Sequence, residues 1–398
     1  MMTAARLAKA APVTECSHLI GAFVGDSDGP TLIAIGSLHG NEPAGALALE
    51  DVYYSLEELE GRLNGRVFLV AGNMRALEKR VRFVNDDLNR AWTRANMSSV
   101  GTPSLLASIE GREMTELDRL LDSILITAHA EVFVIDLHST SARGAPFATV
   151  GDTMRNRRFA RKFPVKTLLG IEEQLEGTLL EYLNNAGAVT LGFEGGQHES
   201  LNTVENHVAF TWLALVNAGI LSPAQVPDLD MHEIRLSAGV RRSSHFYEVI
   251  YREAITAEDE FEMRPGFTNF DPIKKGQVLA ENKVGQVRAS RSGVILMPLY
   301  QKLGDDGFFI GQRIAPFWLT VSAILRQLKV PSIVHWLPGV VRDPANRETI
   351  IVNTHVARVF PLQIFHLLGF RKRRWTGGQL VVSRRRHDTT SPFINNGR

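Results

Sequence analysis

The sequence predicts an α/β domain followed by a smaller β-rich domain, on three observations. Short apolar runs bounded by turn residues, read as buried strands, alternate with helical stretches through the first half of the 398 residues. Polar clusters follow these runs, and open α/β sheets build their sites at the carboxyl ends of strands. From residue 243 to about 322 the texture changes to short β-prone segments broken by turns at Gly266, Gly276, Gly285, Gly293 and Gly307.

Taken in order, residues 30–36 read as a buried strand and 43–59 as a helix, with Pro43 in the first turn where its missing N–H is tolerated. His39 and Glu42 therefore lie on the intervening turn, for which Gly36 and Gly40 are expected to supply backbone freedom. A strand over 66–71 and a helix near 75–79 precede the charged segment from Arg82 to Arg90. Residues 131–138 form another apolar strand, on which Asp136 and His138 share a face. The run from Val189 delivers Glu194 into Gly195 and Gly196. A helix over 203–218, then Pro223 and Pro227, closes the first domain. The expected division is 1–230, a β-rich domain over 231–325, and a C-terminal extension over 326–398.

His39, Glu42 and His138 are the candidate metal ligands. Catalytic zinc takes three ligands from His and acidic residues and leaves a fourth position for water, whose pKa it lowers to about 7. With 12 His and 43 acidic residues in 398, a His followed three later by an acid arises about once by chance. Context separates the instances. His245 and Glu248 have the same spacing within a β-prone stretch, where positions three apart point to opposite faces, so this pair is read as ordinary strand residues. Glu194 is the candidate general base, able to take a proton from the attacking water and return it to a departing amine. Arg82 suits a developing oxyanion, and Asn89 with Arg90 suits a substrate carboxylate.

These segments resemble the succinylglutamate desuccinylase/aspartoacylase family, a branch of the zinc carboxypeptidase-like fold. The family's two-ligand segment reads here His39-Gly40-Asn41-Glu42, its substrate segment Asp87-Leu88-Asn89-Arg90, its third-ligand segment Asp136-Leu137-His138, and its catalytic Glu before Gly is Glu194-Gly195. Arg82 matches the Arg seven residues ahead of the family's Asn. The resemblance implies a three-layer α/β/α catalytic domain with a mostly parallel or mixed sheet, and a barrel-like second domain to which 274–280 and 292–296 contribute strands. It implies one zinc ion per chain and hydrolysis of an N-acyl amide bond in a small carboxylate-bearing substrate. It also implies a Tyr from the second domain at the site's mouth, for which Tyr300 is the counterpart. One departure weighs against N-acetylaspartate and N-succinylglutamate themselves. The family has a further Arg shortly before its catalytic Glu, whereas no Arg or Lys lies between Ile171 and Glu194. Arg143, Arg155 and Arg157 are candidates to stand in. The alternatives are a carboxypeptidase of the same fold and a non-catalytic zinc-binding or ligand-binding protein.

Composition bounds the rest. At 44% hydrophobic and 22% charged, with formal net charge +1, the chain can bury a sizeable core and shows no global bias toward an acidic partner. The single Cys16 excludes an intrachain disulfide and fits a reducing compartment. No run approaches the roughly 20 apolar residues of a membrane span, and the start lacks the apolar core of a secretion signal, so a cytoplasmic protein is expected. Lys283 reads as a solvated turn residue rather than a cofactor attachment point. The tail carries Arg371, Lys372, Arg373, Arg374, Arg384, Arg385, Arg386 and Arg398, yet no nucleic-acid module accompanies it. It is read as a solvated or oligomer-packing extension, without a nucleic-acid partner. Homo-oligomerisation stays open.

Overall fold

The computed structural model describes residues 18–59, 61–172, 174–237, 246–301, 303–353, 362–376 and 379–394. Cys16, His245 and Arg398 lie outside the described residues, as do the side chains of Lys372, Arg373 and Arg374. Eleven strands make one mixed sheet. They are β1 (Leu19–Val24), β2 (Thr31–Gly36), β3 (Arg66–Ala71), β4 (Val132–Thr140), β5 (Phe147–Val150), β6 (Lys166–Leu169), β7 (Val189–Gln197) and β8 (Phe246–Ala254), with three others below.

The centre of this sheet is parallel, in the order β3, β2, β4, β7. These four strands are apolar along their length because both faces are covered. Leu32 and Ala34 of β2 enter the core on one face, while Ile33 and Ile35 enter the core on the other. β4 alternates likewise, with Ile135 and Leu137 on the first face and Val132 and Val134 on the second. The first face is covered by helices Ala44–Glu57 and Leu201–Asn217, the second by Ile109–Ile126 and Leu179–Asn185. This is the expected three-layer α/β/α arrangement. β1 closes one side antiparallel to β3, and β5 lies antiparallel to β7.

The sheet continues on the other side. β8 runs parallel to β6 and carries three more strands, in order β14, β13 and β10. The β-rich stretch comprises β9 (Glu262–Met263), β10 (Pro272–Ile273), β11 (Val278–Asn282), β12 (Gly285–Arg288), β13 (Gly293–Leu296) and β14 (Asp306–Arg313). β12, β11 and β9 form a separate three-stranded sheet. Met263, Leu279, Ile295, Phe308 and Ile310 share a small core between the two. A helix, Pro316–Gln327, begins before the β texture was expected to end, with Pro316 in its first turn.

The C-terminal extension folds into a four-stranded antiparallel sheet in the order β15, β16, β18, β17. These are β15 (Val340–Arg342), β16 (Thr349–Val352), β17 (Lys372–Thr376) and β18 (Gln379–Ser383), packed with helix Leu362–Leu367 through Val352, Phe365, Phe370 and Val382. Its arginines depart from the solvated-tail expectation. Arg371 and Arg326 join Arg157 around the buried Asp152, with Arg326 Nη2 at 2.9 Å and Arg157 Nε at 2.6 Å. Burial alone would raise Asp152, but these three guanidiniums hold it well below the ordinary carboxylate range. Arg371 also bonds Glu248, which accepts from His366 as well. No described helix is long and apolar enough to cross a membrane.

Candidate metal centre and cavity

The site lies at the carboxyl ends of β2, β4 and β7. Beyond β2 the chain turns sharply through Ser37, whose φ of 60° is left-handed, and its hydroxyl bonds Glu42 O and Ala46 N to fix the turn before the helix. Gly36 and Gly40 serve this turn by their size rather than by the freedom expected of them. A Cβ on Gly36 would lie 2.5 Å from the Gly45 carbonyl carbon, and one on Gly40 would lie 2.1 Å from that of Ala76. Neither has a positive φ. Close backbone approach is the second reason a chain requires glycine.

The turn brings His39 Nδ1 to 2.9 Å from Glu42 Oε1. From β4, His138 Nδ1 lies 3.3 Å from Glu42 Oε2. Ligand atoms of all three residues lie within 4.8 Å of one another, and all three residues are buried. The remaining imidazole nitrogens face fixed partners. His138 Nε2 donates to Asp136 Oδ2 at 2.7 Å, and His39 Nε2 lies 3.2 Å from Asp87 Oδ1 and 3.0 Å from Arg82 Nη2. The Nε2–H bond to Asp136 leaves the His138 Nδ1 lone pair directed at the Glu42 carboxylate that His39 Nδ1 also faces, the usual arrangement behind a metal-binding imidazole. Glu42 Oε2 also accepts from Ser139 N at 2.8 Å. Burial alone would raise Glu42, but His39 and His138 hold it well below its ordinary value. Burial alone would lower His138, but Asp136 and Glu42 raise it well above its own. Two nitrogens and a carboxylate in a buried, charge-rich setting fit a borderline-soft dication such as zinc.

Glu194 stands beside His138 across the parallel β4–β7 pair. Burial pushes its carboxyl up to about 8; His138 opposes that rise and Glu42 and Asp136 add to it. Its Oε2 is buried without a hydrogen-bond partner among the described residues. Behind it His207 Nε2 bonds the His138 carbonyl at 2.9 Å, and a Cβ on Gly195 would fall 2.3 Å from that nitrogen. The glycine after Glu194 thus lets the helix Leu201–Asn217 brace β4. Burial holds His207 down at about 4, so it stays neutral at pH 7.

A cavity of about 490 Å³ opens over these groups, lined by His39, Glu42, His138, Glu194 and Arg82 on its inner side and by Asn89 and Arg90. Arg82 Nη2 bonds Asp87 Oδ2 at 3.0 Å, and Nη1 lies 3.8 Å from Glu42 Oε1. Asn89 Oδ1 accepts from Leu179 N at 3.1 Å, at the start of a helix, which leaves its side-chain Nδ2 as the group to offer a ligand. Arg90 donates to the backbone oxygen of Asn89 at 2.9 Å and lies 3.9 Å from Asp306.

Tyr300 does not line this cavity, whereas its neighbours Leu299 and Gln301 do. The Tyr300 hydroxyl accepts from Phe267 N and lies 3.0 Å from the Arg264 and Phe267 carbonyls. Gln301 Oε1 accepts from Asn41 Nδ2 at 3.3 Å and lies 3.2 Å from His198 Nε2, tying the β-rich stretch to the metal-ligand turn. The suggested substitutes for the missing Arg are also absent from the lining. Arg157 is committed to Asp152, and Arg155 to Glu131. An arginine the sequence gave no reason to choose comes closer. Arg385 of the extension bonds Glu172 of the cavity wall at 2.8 Å.

Together, the layered sheet and the buried His-Glu-His set at its carboxyl edge define a three-layer α/β/α domain with a candidate metal centre. Comparison with known proteins points the same way. Residues 28–210 match the model of the succinylglutamate desuccinylase/aspartoacylase catalytic domain. A succinylglutamate desuccinylase of Pseudomonas fluorescens (strain Pf0-1) is 29% identical over 118 residues, 30% of this chain; the match spans only a third (33%) of that relative's length. Among solved structures, a succinylglutamate desuccinylase/aspartoacylase from Rhodobacter sphaeroides is 18% identical with a TM-score of 0.53, over 72% of this chain and 86% of its own. The ectoine utilization protein EutE (DoeB) of Ruegeria pomeroyi is 21% identical with a TM-score of 0.52, over 71% and 85%. Murine aminoacylase 3 is 18% identical with a TM-score of 0.52, over 71% and 95%. At these identities the structural likenesses establish a shared fold.

Proposed function

We propose that this chain is a zinc-dependent amidohydrolase that removes the acyl group from a small N-acylated, carboxylate-bearing substrate. The convergence of His39 Nδ1, Glu42 and His138 Nδ1 beside the unpartnered oxygen of Glu194 carries this reading. His39, Glu42 and His138 would hold the ion, with Asp136 and Asp87 orienting the two imidazoles. Zinc in such a site supplies a Lewis acid that polarises the acyl carbonyl and acidifies water.

The chain's own groups do the rest. Glu194 takes the proton from the attacking water and delivers it to the amine nitrogen as the C–N bond breaks. Arg82 donates to the carbonyl oxygen as charge develops on it. The Asn89 amide nitrogen and Arg90 hold the substrate carboxylate, and Gln301 replaces Tyr300 as the group contributed by the β-rich stretch. The match of residues 28–210 to the succinylglutamate desuccinylase/aspartoacylase model supports the reaction class.

The test is hydrolysis of a panel of N-acetyl and N-succinyl amino acids by zinc-loaded protein and by Glu194→Gln. The proposal expects hydrolysis by the native chain and a loss of kcat of at least about 100-fold in the variant, in line with general base removal. Undiminished turnover in Glu194→Gln would exclude it as the base. Cleavage of peptides alone would move the assignment to a carboxypeptidase.

A further inference from the structure

The helix Pro316–Gln327 is built with its amphipathicity reversed. Its inward stripe runs through Leu319, Ser322 and Arg326, all buried. Ser322 accepts from Arg157 Nη1 at 3.1 Å and donates to the Leu367 carbonyl at 2.6 Å, and Arg326 Nη2 lies 2.9 Å from Asp152. On the opposite side of the helix and its cap, Phe317, Val321, Ile324 and Leu328 recur at spacings of four, three and four, which places them on one stripe. Phe317, Trp318, Ile324 and Leu328 are each at least half exposed, and Trp336, after the helix, is 75% exposed. The helix cannot roll to bury this stripe, because rolling would pull Arg326 from Asp152 and leave a buried carboxylate short of a partner. An apolar face fixed outward in this way marks an interaction surface.

Charge distinguishes the kind of surface it meets. From Arg313 to Arg342 the chain contains no Asp or Glu, while Arg313 and Lys329 stand exposed just before and just after the helix. Tryptophan and phenylalanine between flanking cations suit the boundary of an anionic bilayer, where rings reach the acyl region and cations meet headgroups. A second copy fits less well. Two-fold pairing sets a patch against itself, so these cations would face cations with no acid of the stretch to answer them. Spanning is excluded too: a helix of 12 residues is about 18 Å long, short of the roughly 30 Å hydrocarbon core.

We propose that this helix and the turns after it seat the chain on an anionic lipid surface, with the stripe from Phe317 to Leu328 toward the acyl chains and Arg313 and Lys329 at the headgroups.

The full chain is sedimented with phosphatidylcholine vesicles made with and without about 30% phosphatidylserine. Binding should need the anionic lipid, weaken when salt rises from about 0.15 to about 1 M, and shift tryptophan emission to the blue. Replacing both exposed rings, Trp318→Phe with Trp336→Phe, should remove most of that shift. Ile324→Gln and Leu328→Gln should each weaken binding about tenfold, and Lys329→Gln about fivefold. The melting temperatures of these three variants should match that of the native chain, since all three positions are exposed. No sedimentation at millimolar lipid, equal binding to both vesicle types, or full binding by the double variant Ile324→Gln, Leu328→Gln would each overturn the proposal. So would a concentration-dependent dimer that the same double variant abolishes, which assigns the stripe to a second copy.

Discussion

Asp136 and Glu42 both touch His138, yet their loss should have different consequences. Glu42 is a proposed ligand, so Glu42→Gln should abolish stoichiometric zinc binding. Asp136 fixes the ring through Nε2 at 2.7 Å, and losing such a partner typically costs about 10–100-fold in metal affinity. Competition titration with a zinc chelator compares Asp136→Asn and Glu42→Gln directly; equal and small effects would deny both roles. The sequence pointed to these residues because His39 and Glu42 closely follow β2 and Asp136 and His138 lie near the end of β4, where local geometry aims them. The family resemblance alone points to Tyr300, and sequence does not tell which of two adjacent side chains faces the cavity; Gln301 does. Arg385 was invisible for another reason: its partner Glu172 lies 213 residues away, and nothing local couples them.

At the level of elements, the central strands were legible because burial on both faces leaves an unbroken apolar run. The C-terminal sheet was not, since its arginines read as a solvated run while their partners lie in distant segments. Asp152, ringed by Arg157, Arg326 and Arg371, is the clearest case. Removing one partner of a buried pair leaves the others uncompensated, so Asp152→Ala should destabilise by about 3–5 kcal/mol, read from denaturant unfolding. A change under about 1 kcal/mol, as at an exposed pair, would show the knot to be incidental.

Glu248 gives the same contact a pH dependence. Burial would raise its pKa, but the bonds from His366 and Arg371 lower it to about 2. A depressed carboxylate stabilises the fold above its unfolded pKa, near 4.3, and that contribution fades as pH falls toward 2. Amide exchange in β16 and β18 should therefore accelerate between pH 4.5 and 2.5 beyond its intrinsic trend, and Glu248→Gln should remove that acceleration.

On the scale of the whole molecule, strands on both sides of residue 231 share one sheet, and the extension reaches back to the cavity wall. We propose to keep the division 1–230, 231–325 and 326–398, with the three parts interdependent: a chain ending at 325 would lose Arg326, Arg371 and Arg385 and leave Asp152 and Glu172 underpaired in the interior. Such a truncation should melt lower than the full chain, by differential scanning calorimetry. The general architecture was readable because an α/β layer pattern and the family motifs agree, whereas the join between the parts depends on long-range pairing.

The central claim is that His39, Glu42 and His138 hold one zinc ion on which deacylation depends. Its most direct test is N-acetyl amino acid hydrolysis by protein stripped with chelator and titrated with zinc. Activity should be absent after stripping, return in proportion to zinc, and saturate at one equivalent per chain. Full activity in the stripped protein, or restoration by zinc in Glu42→Gln as complete as in the native chain, would contradict it.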